Sequence, residues 1–71
     1  MVRIVVGTPK LSLHEEDDML LEATFDNNLK VVVSHKPLVA SLLEAEGHPV
    51  WLKVKGHVAI AGGRVEEVKH V

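Results

Sequence analysis

The sequence predicts a mostly β fold: a small antiparallel barrel of five or six strands carrying one short helix. Three observations lead there. Valine is the commonest aliphatic residue, with Trp51 and Phe25 the only aromatics, and β-branched residues favour strands. Several runs alternate apolar and polar residues at the period of two that a half-buried strand requires. Only one segment, about residues 37–46, has helical spacing instead. The 71 residues make one domain, 1–71. A chain this short buries only roughly 60% of its unfolded surface, so association with further copies is expected to support it.

Taken in order, Val2 to Val6 is a β-branched run closed by Gly7-Thr8-Pro9, a first strand and turn. Leu11 and Leu13 alternate with polar neighbours before His14 and the acidic cluster Glu15-Glu16-Asp17-Asp18. Contiguous like charges repel, so the cluster reads as a solvated turn. As a hard-cation site it lacks the alternating oxygen ligands, central glycine and distal glutamate of a calcium loop.

Met19 to Asp26 is a strand with Met19, Leu21, Ala23 and Phe25 on one face. Asp26-Asn27-Asn28 then forms a hairpin turn, because Asn and Asp tolerate the left-handed backbone, and Lys30 to Ser34 returns as the antiparallel partner. In the helix, Leu38, Val39, Leu42 and Leu43 form the apolar stripe, Pro37 suits the first turn, and Gly47 suits the left-handed position beyond the end. At its start Ser34, His35 and Lys36 stand where backbone N–H groups and the helix dipole favour an anion, or Ser34 serves only as a cap.

The most informative stretch is Pro49 to Ala61. Read as one long strand, it puts Val50, Leu52, Val54, Val58 and Ile60 on a core face, with a gap at Gly56. The opposite face then carries Trp51, Lys53, Lys55 and His57, followed by Ala59 and Ala61. Ala61-Gly62-Gly63 reads as a turn, and Arg64 to Val71 as a last strand or frayed tail.

Charge and composition narrow the function. The net charge of −2 is uneven: residues 1–29 carry two basic against six acidic groups, a net of −4, and residues 51–71 four against two, a net of +2. The basic side is local, as an anion site would be, and unlike a general DNA-binding domain. No cysteine is present, which excludes disulfides and thiolate metal sites. The lack of a signal-peptide core or a long apolar run points to a cytoplasmic protein off the membrane. No catalytic motif is found: no phosphate loop, zinc-protease pattern or nucleophile elbow. His14, His35, His48, His57 and His70 sit at no recognised metal spacing. A non-enzymatic binding protein with neither metal nor cofactor is expected.

The order of elements suits a small closed barrel plugged by a helix, as in OB-like folds. Within it, the run Leu21 to Lys36, the helix ending at Glu46-Gly47, and Val50 to Ile60 resemble the molbindin family, also called the Mop or TOBE domain. The shared features are a hairpin, a hydroxyl residue with basic neighbours opening a helix, a glycine, and an aromatic after valine. A lysine-bearing strand closed by Val58-Ala59-Ile60 completes the pattern. The resemblance implies an associating barrel that binds a tetrahedral oxyanion such as molybdate or tungstate at subunit interfaces. It assigns Ser34, His35 and Lys36 at the helix start, facing Lys55, Gly56 and His57. At the position of the family's hydroxyl residues stands Gly56-His57, which gives that role to His57. Such an assignment is physically sensible, since a dianion needs amide and hydroxyl donors together with countercharge.

Two other classes fit the residues. Trp51, Lys53, Lys55 and His57 at period two would give a single-stranded nucleic acid a stacking surface and phosphate contacts. A homo-oligomeric interaction module with no small ligand would account for the short core, with Trp51 at the interface.

Overall fold

The computed structural model describes residues 1–14, 16 and 20–65. Glu15, Asp17 and Asp18 of the acidic cluster, Met19, and the tail from residue 66 onward lie outside the described residues. The chain runs β1 (Val2–Gly7), β2 (Lys10–His14), β3 (Leu20–Thr24), β4 (Lys30–Val33), α1 (Lys36–Glu44), β5 (Val50–Lys55) and β6 (Val58–Arg64). Among the described residues the fold is thus mostly β, with six strands and one short helix in a small barrel-like sheet, and the strand order β1-β5-β6-β4-β3-β2 leaves β1 and β2 as its two ends.

Neighbouring strands are antiparallel except at one join. There β4 meets β6 in parallel at Val32 and Val58, and the Val32 amide donates to the His57 carbonyl at 2.8 Å. This join links β2-β3-β4 to β1-β5-β6.

The β3–β4 hairpin follows from its turn residues. The Phe25 amide donates to the Leu29 carbonyl and the Asn28 amide to the Phe25 carbonyl, each at 2.9 Å. The Leu29 amide donates to Asn27 Oδ1 at 3.2 Å, and Asn28 takes the left-handed backbone with φ 63°. Leu21, Ala23, Phe25, Val31 and Val33 point inward and are buried, as their alternation requires. On the outer side of this hairpin Lys30 and Glu22 approach to 4.0 Å, an exposed ion pair contributing at most about 1 kcal/mol.

α1 closes the core with Leu38, Val39 and Leu42 buried, and Pro37 lies in its first turn. The N-cap is His35 and not Ser34, and the His35 side chain makes no capping hydrogen bond. Ser34 is therefore not the cap expected from its position. At the other end Gly47 has φ 86°, the left-handed conformation expected of it. The helix packs on β6, where Gly62 faces Leu38 of the helix and the neighbouring strand β5. A Cβ there would lie 2.5 Å from Leu52 Cδ2, 2.8 Å from the Trp51 carbonyl oxygen and 3.2 Å from Leu38 Cδ1.

The long strand expected over residues 50–61 is instead a hairpin. Gly56 has φ 65° and, with His57, makes a two-residue turn across which Lys55 pairs Val58. Glycine at the first central position is what such tight turns favour. Val50, Leu52 and Val54 are buried as expected. Reversal at Gly56 puts Val58 on the side of Lys55, so Val58 is 42% exposed and Ala59 is buried in its place. The register shifts between Lys53 and Val54, where the partner changes from Ala61 to Ala59. Ile60 is the extra residue of that irregularity and is 49% exposed. Neither Val58 nor Ile60 belongs to the core face. Ala61-Gly62-Gly63 is part of β6, where Gly62 pairs Leu52 and Gly63 pairs Trp51, so the expected turn at 61–63 is not there.

Candidate functional site

The residues expected to hold an oxyanion sit on two elements. Ser34, His35 and Lys36 lead into α1, while Lys55, Gly56 and His57 form the β5–β6 turn. The nearest backbone link between the sets is the bond from the Val32 amide to the His57 carbonyl. Ser34 lies two residues beyond Val32, roughly 7 Å along an extended chain. Beside the helix start is a shallow groove of about 310 Å³, walled by His35, Pro37, Leu38 and Ser41 from the helix side and by Ile60, Ala61 and Gly62 of β6. His35 is the one residue of the expected six that lines it, and all six are exposed. Among the described residues no polar or charged side chain is buried. Nor does any group of three or more His, Asp or Glu side chains come together as a metal site.

The second expected set is better assembled. Trp51, Lys53 and Lys55 alternate along β5 and project to the outer side of the sheet, opposite buried Val50, Leu52 and Val54. His57 lies in the turn at their end. Trp51 is half-buried, with its indole against Gly63, whose Cβ would lie 3.2 Å from Nε1 and 3.6 Å from Cε2. One side of the indole is thereby covered by the protein's own backbone.

Neighbouring strands complete this outer face, and that part was missed in the sequence. β1 pairs β5 with Val2 opposite Lys55, Ile4 opposite Lys53 and Val6 opposite Trp51. Val2, Ile4 and Val6 are 45%, 58% and 61% exposed. Val58 of β6 flanks Lys55 on the other side. A cationic row therefore runs between two apolar ones. Alternation in β1 gave no such signal, since the wholly apolar set Val2, Ile4 and Val6 is the exposed one while Val5 and Gly7 are half-buried.

The outer face of β2-β3-β4 differs in character. Lys10, Ser12 and His14 stand beside Thr24, Glu22 and Leu20, a mainly polar surface. The apolar exposure is thus concentrated on one half of the sheet. No helix among the described residues is long and apolar enough to cross a membrane. Comparison with protein-family models, curated proteins and solved structures finds no match.

Proposed function

We propose that the chain is a non-enzymatic interaction module that works as a homo-oligomer, meeting further copies through β1 and the apolar residues that β1 exposes beside β5. The observation that carries this reading is the exposed row Val2, Ile4 and Val6, set beside the cations of β5. Exposed β-branched residues clustered on one face of so small a domain mark a contact surface. Trp51 at the margin adds the kind of anchor that interfaces favour. A nucleic-acid surface would need free aromatic faces to stack on bases, whereas here the neighbours of the lysines are aliphatic and Trp51 already leans on Gly63.

The reading is tested by melting the protein over a hundredfold range of concentration. Association stabilises the folded state by mass action, so the transition should rise with concentration, and Val2→Thr/Ile4→Thr/Val6→Thr should abolish the rise. A melting temperature independent of concentration would sink the reading.

A second reading, tetrahedral oxyanion binding, is favoured by the groove beside the helix start. There His35 and Ser41 face β6, and the N-cap residue His35 makes no side-chain capping bond, at the positive end of a helix dipole that favours an anion. Millimolar molybdate or tungstate should then raise the melting temperature more than sulfate does, and His35→Ala should remove the difference. Identical curves with all three salts would rule this reading out.

A further inference from the structure

We infer that two copies join edge to edge through β1, antiparallel, with Ile4 opposite Ile4 of the second copy. The inference rests on the interaction reading above and specifies its geometry. Among the described residues β1 is an end of the sheet, paired to β5 on one side only. Exposed edges are ordinarily blunted by proline, bulges or charge. β1 pairs β5 in unbroken register over six residues, contains no proline, and carries only Arg3 as a charge.

Its sequence is also self-complementary. A two-fold axis at Ile4 sets Val2 against Val6 and Arg3 against Val5, so apolar residues meet on the outer face and no like charges stand directly opposite. The other end of the sheet is a poorer match. Joining β1 to β2 of a second copy would lay Val2, Ile4 and Val6 beside exposed Lys10, Ser12 and His14, and head-to-tail joining gives a ring or a filament and not a two-fold dimer.

Stacking two outer faces is disfavoured by charge, since it would bring the Lys53 and Lys55 rows together. In the strand order β5-β1-β1-β5 those rows lie three strand spacings apart, about 14 Å, beyond the screening length of about 8 Å at physiological salt. The available area matches a weak dimer. Met1 to Thr8 are all exposed or half-buried, and the chain's 5193 Å² over 71 residues averages about 73 Å² each. Eight such residues from each copy supply at most about 1,200 Å², the low end for a specific interface.

With no cysteine in the chain, a single introduced thiol reads the geometry directly. Directly opposed residues of antiparallel strands have Cα atoms about 4.5–5.5 Å apart, inside the disulfide range. Under mild oxidation Ile4→Cys should therefore give a covalent dimer, while Lys53→Cys, on the same face one strand away, should remain monomeric. Mixing Ile4→Lys with Ile4→Glu should restore association that each variant alone weakens more than tenfold in sedimentation. Crosslinking of Lys53→Cys without Ile4→Cys would overturn the edge pairing while leaving the interaction reading standing. A chain that sediments as a monomer up to millimolar concentration would overturn both.

Discussion

The indole of Trp51 lies against the backbone of Gly63, leaving 3.2 Å between its Nε1 and the place of a Cβ on residue 63. A side chain has rotamer freedom with which to yield, so Gly63→Ala should cost only about 1 kcal/mol, the lower end of overpacking penalties. Displacement of the indole should appear as a shift in the emission of this single tryptophan. Gly62→Ala is the contrasting case. Its methyl would meet the Trp51 carbonyl oxygen at 2.8 Å and Leu52 at 2.5 Å, and a backbone atom has little room to move. We expect a loss of about 3 kcal/mol or more, measured by denaturant unfolding of both variants.

The two tight turns should respond to backbone conformation alone. No atom lies within 4 Å of a Cβ placed on Gly56, yet its φ is +65°. Gly56→Ala should therefore cost about 1–2 kcal/mol through the left-handed penalty, and Gly56→Asn less. At Asn28, with φ 63°, Asn28→Gly should be close to neutral and Asn28→Val strongly unfavourable. Equal melting temperatures for the Asn28→Gly and Asn28→Val variants would refute this account of the turn.

Leu52 and Leu42, 0% and 1% exposed, lie on the two sides of the core, one from the sheet and one from the helix. Truncating either to alanine should cost about 2–5 kcal/mol. A domain of this length has a total stability of roughly 4–11 kcal/mol. Leu52→Ala should consequently be partly unfolded at physiological temperature, which circular dichroism would register.

Lys53 and Lys55 are exposed on the outer face. Lys53→Gln/Lys55→Gln should leave folding stability within about 0.5 kcal/mol of the parent. On the interaction reading, an unlabelled oligonucleotide titrated at physiological salt should leave Trp51 emission unchanged. Saturable quenching that weakens steeply with salt would transfer the assignment to nucleic acid.

How much of this was legible in the sequence depended on how local the governing contacts are. The β3–β4 hairpin could be read because alternation and the Asp26-Asn27-Asn28 turn lie within a dozen residues. α1 could be read because Pro37, Gly47 and its apolar stripe agree. The β5–β6 hairpin was misread because Val54, Gly56, Val58 and Ile60 keep an even spacing that mimics one strand. The Gly-His pair was the signal for a two-residue turn, and it reverses the side on which Val58 lies. Ser34 lost the cap to His35 because the chain remains extended for one further residue. The outer face could not be read at all from β5 alone, since Val2, Ile4 and Val6 become its neighbours only through pairing across more than forty residues.

That separation also sets a schedule. Gly7 pairs Val50 and Val2 pairs Lys55, so on the ribosome β1 emerges well before the strand that will hold it. At about 5–20 residues per second, the 42 residues between Gly7 and Val50 take about 2–8 s to make. Throughout that interval a valine-rich segment lacks the β5 ladder that will hold it. The nascent chain is therefore most vulnerable to mispairing between the making of β1 and that of β5, and a chaperone that shields Val2–Gly7 would protect the step on which this pairing depends.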